Sequence, residues 1–142
     1  RIKSVNNLKT INQALQVYAS DNDGKLPPAD MLCDVVVREL GPRFLVSPQD
    51  PEALAKFERG EKVSSYALNA DLAGKNLFEI NDFNTVLVFE CNLGWNGTGG
   101  LDDLRKNVPP DQWNISLIDG ASYQTNPNDI QRRQIKWKPA ER

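Results

Sequence analysis

Histidine is absent from this 142-residue chain. Its absence excludes Ser-His-Asp and Cys-His arrangements within the chain and removes the commonest zinc ligand. No apolar run approaches the roughly 18 residues that cross a bilayer as a helix. Neither sign of charge dominates. The formal net charge is −2, which gives no reason to expect a nucleic-acid partner. Cysteine is scarce, with Cys33 and Cys91 alone. They could pair in an exported protein or stay buried thiols in a cytosolic one, and the sequence leaves both open. No Gly-Lys-Ser/Thr follows the glycines, so a phosphate-binding P-loop is excluded.

What is present describes a soluble globular chain. The apolar fraction is 39% and the charged fraction 25%, as in ordinary globular domains, and the length predicts one domain spanning 1–142. Ile2, Val5, Leu8, Ile11, Leu15 and Tyr18 follow steps of three and four, one stripe of an amphipathic helix over 1–20. Asn6, Lys9, Asn12, Gln13 and Gln16 fall elsewhere on it. Asp21-Asn22-Asp23-Gly24 ends the helix, and Pro27-Pro28 prevents its resumption. The helix is already under way at Arg1, which is not a Met. A preceding segment is therefore expected to have been removed.

The stretch 21–63 reads as helices and loops. Asp30 is placed to cap a helix whose inner side is Leu32, Val35, Val36 and Leu40, closed by Gly41-Pro42. Asp50-Pro51-Glu52 opens another, with Leu54 and Phe57 as its apolar side and Gly60 as its end. From 64 to 142 the period changes and predicts a β-meander. Ser64–Leu68 is a short strand. Thr85–Cys91 (TVLVFEC) is a buried central strand. Ile115–Ile118 and Ala121–Gln124 flank an Asp119-Gly120 hairpin. Gln134–Lys138 (QIKWK) alternates like a strand with one wet face. The predicted architecture is α+β: a long N-terminal amphipathic helix packed on a small antiparallel sheet, with two short helices between.

Several positions invite chemistry. Asp21 to Gly24 suggests a calcium loop, but the sixth and twelfth positions are Leu26 and Leu32, where an EF-hand needs Gly and an acid. Asp102 and Asp103 read as a cap for a short helix, with metal binding the alternative. Glu90 ends an apolar strand, which makes it either a buried general acid or a strand end bonded to a loop. As an enzyme the protein would pair Glu90 with Asp119, roughly 5–10 Å apart in a cleft. Trp95, inside the glycine-rich loop Asn92–Gly100, is a lid on the core or a stacking platform for a sugar or peptide. Arg132, Arg133, Lys136, Lys138 and Arg142 surround Trp137, as a solvated strand face or a dock for an acidic partner. Asn96 and Asn114 stand in N-x-S/T triplets, which matter in a glycosylating pathway.

The order of motifs resembles type IV pilin-like proteins, above all the pseudopilins of type II secretion. VNNLKTINQALQVYASDNDGKLP resembles the segment that follows their membrane helix. SSYALNADLAG resembles their central Tyr-x-x-Asn segment, TVLVFEC the next strand, and NISLIDGASYQ the closing Asp-Gly hairpin. One subgroup places His where Pro109 stands and Cys where Ser47 stands, so the resemblance implies the broad class and not that subgroup. The calcium loop of the major pseudopilin is not evident. The resemblance implies a non-enzymatic subunit with no cofactor and no metal, anchored in a bacterial cytoplasmic membrane by a preceding apolar helix. Its domain would lie in the periplasm or on the cell surface. Its partners would be other pilin-like subunits, met through Ile2, Val5, Leu8, Ile11 and Leu15, of which Ile11 and Leu15 could equally be core. In the isolated domain Ile2, Val5 and Leu8 are expected to be wet. The alternative is an extracytoplasmic carbohydrate- or peptide-binding module built on Trp95.

Overall fold

Helix α1 runs unbroken from Ile2 to Asp21 in the computed structural model, which describes residues 2–139 and side chains from Lys3 onward. Arg1, the Ile2 side chain and Arg142 lie outside the described residues. Gly24 ends the helix by returning its N–H to Ala19 O at 2.7 Å. It holds φ +85°, and a Cβ there would run into the Asn76 side chain and come within 2.8 Å of Phe78, so the position requires glycine. The acidic run before it is a helix-ending turn.

Helix α2 covers Leu32–Leu40 and buries Leu32, Cys33, Val35 and Val36. Asp30 does not cap it. Its φ is +69°, and no side chain caps this helix. Helix α3, Pro51–Glu58, is capped as expected, with Asp50 accepting from the Ala53 N–H at 3.1 Å. Its buried residue is Ala53, while Leu54 and Phe57 are half-buried.

The sheet has five strands: β1 Tyr66–Asn69, β2 Val86–Glu90, β3 Thr98–Gly99, β4 Trp113–Leu117 and β5 Ser122–Thr125. Their order is β3-β1-β2-β4-β5, so TVLVFEC supplies the central strand. All pairs are antiparallel except β1 with β3. Asp119-Gly120 makes the β4–β5 turn, with Gly120 at φ +95°. The glycine-rich loop adds the short β3, which glycine content had read as loop alone.

Both faces of the sheet are covered. α1 packs on β2, β4 and β5, with α2 alongside, around Leu8, Ile11, Leu15, Leu68, Leu87 and Val88. The other face carries Ala67, Phe89, Trp113, Ile115 and Leu117. It is closed by helix α4 (Leu101–Asn107), helix α5 (Pro127–Arg132) and the segment after α5. Burial on both faces explains why β2 reads as a continuous apolar run instead of alternating.

Two expectations for 64–142 are corrected. The stretch contains α4 and α5 and so is no pure meander. QIKWK forms no strand: Lys136 makes one isolated bridge, to Thr85. Its alternation is nonetheless physical. Ile135 and Trp137 are buried, Trp137 meeting Phe89 edge-on at 4.8 Å, while Lys136 and Lys138 are exposed. A segment crossing the end of a sheet needs the same in-out pattern as a strand, without the hydrogen-bond ladder.

Candidate functional site

Leu8, Ile11 and Leu15 are fully buried inside the domain. This corrects the expectation that Leu8 is wet, and assigns Ile11 and Leu15 to the core. Val5 is half-buried. The apolar stripe of α1 is thus used in holding the sheet from Leu8 onward, because β2 and α2 close over it.

A second, polar row of α1 faces the same sheet. Asn12, expected off the buried side, is 1% exposed. Its Nδ2 donates to Ser116 Oγ at 2.6 Å and to Leu117 O at 2.7 Å. Gln16 Nε2 bonds Asn12 Oδ1 and Ile118 O, and Ser116 shares a bond with Ser122. A buried amide survives only with partners of this kind. The available signal was the Asn12–Gln16 spacing of one helical turn, matched by serines on strands β4 and β5.

The row begins with Ser4, also buried. Ser4 Oγ bonds Tyr66 Oη at 2.8 Å and donates to Glu90 Oε1. Asn7 donates to Tyr66 Oη and to Val46 O, and Asn114 Nδ2 donates to Glu90 Oε1 at 3.0 Å. Glu90 is therefore a bonded strand end at the start of the helix–sheet seam. Beside it opens a cleft of about 480 Å³ between the start of α3, the end of β2 and the loop after α4.

Burial, with Ser4 bonding opposing it and the Glu90 charge reinforcing it, pushes the Tyr66 phenol from 10 up to about 12. Burial likewise pushes the Cys91 thiol from 9 up to about 11. From pH 9 upward the unfolded chain releases these protons while the folded chain keeps them, so stability falls. The contribution is complete below pH 9 and is gone by about pH 12. Tyr66 should account for about 2 kcal/mol of the fall. Urea midpoints measured from pH 8 to 12 should drop less steeply in Tyr66→Phe than in the parent above pH 10; identical slopes would remove Tyr66 from this role.

Other singled-out residues are not gathered into a site. Glu90 and Asp119 lie at opposite ends of β2, on the order of 15 Å apart by strand rise. Glu90 bonds Asn114, whereas Ile118, next to Asp119, bonds Thr85. The carboxylate pair therefore does not form. Trp95 is half-buried against the α1-side core, with Lys62 Nζ 5.5 Å above its ring. It also lines a small cleft with Pro42, Phe57 and Lys62. Asp103 accepts from the Gly100 N–H at 2.9 Å and so caps α4. Arg132 and Arg133 both bind Asp129, and Lys136 binds Asp82, which leaves the basic cluster largely answered by acids. Cys33 and Cys91 are buried free thiols in separate cores, on opposite faces of the sheet. Asn114 is buried and Asn96 is bonded to Cys33 and Asp34, so neither triplet offers a free glycan acceptor. Among the described residues no three Cys, Asp or Glu side chains gather as metal ligands, and no helix is long and apolar enough to cross a membrane.

Comparison of the chain with protein-family models, with curated proteins and with solved structures finds no match.

Proposed function

We infer that the protein is a structural, pilin-like subunit of a type II secretion or type IV pilus-like system, and not an enzyme. The observation that carries the reading is the 20-residue helix α1 laid along one face of an antiparallel sheet, the architecture the resemblance implies. In this reading α1 continues a membrane-anchoring helix that precedes Arg1, and the subunit assembles with its like into a fibre outside the cytoplasmic membrane. Since Leu8, Ile11 and Leu15 hold the sheet, contacts between subunits fall to Ile2, Val5 and the apolar residues before them, with the outer row of Lys3, Asn6 and Lys9 at the margin. Head-to-tail contacts of this kind extend without closing and generate fibres. The alternative, an extracytoplasmic carbohydrate- or peptide-binding module, rests on Trp95, which lines a small cleft with Pro42, Phe57 and Lys62.

The test is the reading frame before Arg1. A short basic leader, a Gly at a cleavage site and about 20 apolar residues with a Glu near their start support the reading. A cleavable signal peptide or a further soluble domain directly before Arg1 sinks it.

A further inference from the structure

We propose that Asn96–Gly97 is a site of spontaneous deamidation that the fold holds shut through the bonds of Asn96 to the first turn of α2. It is the chain's one Asn-Gly pair. Glycine after asparagine leaves the backbone nitrogen open to the side-chain carbonyl carbon. In the reaction the Gly97 nitrogen gives its proton to water and attacks Asn96 Cγ. An N–Cγ bond forms, the Cγ–Nδ2 bond breaks, and Nδ2 leaves as ammonia. Water then opens the cyclic imide at either carbonyl, giving Asp or isoaspartate.

The fold requires both residues of the pair. Asn96 holds φ +57°, a region where Asn is enriched among residues with a side chain. Gly97 is buried, and a Cβ there would stand 2.7 Å from Leu93 Cβ. The same fold restrains the reaction. Asn96 Oδ1 accepts from the Cys33 N–H at 2.7 Å, and Nδ2 donates to Asp34 Oδ2 at 2.9 Å. The Cys33 N–H belongs to the first turn of α2, where amides lack intrahelical partners. The Asn96 N–H meets Cys33 Sγ at 3.0 Å, and the Gly97 N–H is taken by Gly94 O at 3.2 Å. Attack requires the amide to leave α2 and the Gly97 N–H to be released, so its rate follows local opening of this latch.

The product unfastens the latch. An Asp side chain at 96 turns a carboxylate oxygen toward Asp34 where Nδ2 donated, and like charges at that separation repel. Isoaspartate adds a carbon to the backbone next to Gly97 O, which holds the Leu68 N–H beside β3. The inference is independent of the fibre reading.

The experiment incubates the 142-residue protein at neutral pH and follows deamidation at Asn96 by peptide mass spectrometry. The blocked peptide acetyl-Gly-Trp-Asn-Gly-Thr-Gly-amide supplies the unrestrained rate. The folded protein should react at least about tenfold more slowly than the peptide. Asp34 is exposed, so its variants should keep the fold. Asp34→Ala should speed the reaction about fivefold by removing one bond. Asp34→Asn keeps an acceptor without the charge and should stay near the parent rate. Hydrogen exchange of the Cys33 amide should accelerate in Asn96→Asp and slow again when Asp34→Asn is added, because donor and acceptor are then exchanged. Equal rates in protein and peptide, an unchanged rate in Asp34→Ala, Asp34→Asn as fast as Asp34→Ala, or unchanged Cys33 exchange in Asn96→Asp would each overturn the proposal.

Discussion

Replacing Ile11 by alanine should lower the stability of the isolated domain by about 3–4 kcal/mol. Ile11 is fully buried in the core between α1, α2 and β2. Truncation loses the transfer energy of the removed carbons and leaves a cavity that packed neighbours refill only in part. The site has little room to collapse, since α1 is held on the polar side by the Asn12 bonds to β4. Val17→Ala, on the outer side of the same helix and 49% exposed, should change stability by at most about 0.5 kcal/mol. Urea unfolding of both variants as monomers separates a core role from an interface role. A loss under about 1 kcal/mol for Ile11→Ala would show that the helix is held otherwise than by its apolar stripe.

The sequence carried those features that local chemistry decides. The three- and four-residue steps through Leu8, Ile11 and Leu15 are the α1 core side. Asp50 caps because a carboxylate next to Pro in the first turn has few other uses. Asp-Gly makes the β4–β5 turn because one residue there must hold positive φ. The features that escaped depend on partners distant in the chain. Asn12 is buried because Ser116 and the Leu117 carbonyl, more than a hundred positions away, receive it. Asp30 fails as a cap because the chain turns through positive φ just before α2. QIKWK has the period of a strand, but its place beside β2 at the end of the sheet gives it one bridge instead of a ladder. The cleft beside Glu90 was half legible: the acid at the end of an apolar strand stood out, while Ser4 and Asn114, which fix it, did not.

The Tyr-x-x-Asn segment Tyr66–Asn69 supplies the second large effect. Asn69 is fully buried at the end of β1. Its Nδ2 donates to Val86 O at 2.7 Å and to Trp137 O at 2.6 Å, and its Oδ1 accepts from the Asp71 N–H at 3.0 Å. One amide thus ties the end of β1 to the start of β2 and to the segment that crosses the sheet after α5. Asn69→Ala removes both donor bonds and leaves two carbonyls in a dry site, which should cost about 2–4 kcal/mol. Asn69→Asp should cost more, because it turns a carboxylate oxygen toward those carbonyls and adds a buried charge. The damage should be uneven. The segment after α5 is also held by Val86 N–H to Lys136 O and Lys136 N–H to Asn84 O, so hydrogen exchange at Val86 and Lys136 should accelerate in Asn69→Ala before exchange in α1 does. Uniform acceleration across α1 and these amides would mean that Asn69 contributes only to global stability and does not clamp the crossing segment. A loss below about 1 kcal/mol would mean that water takes its place at both carbonyls.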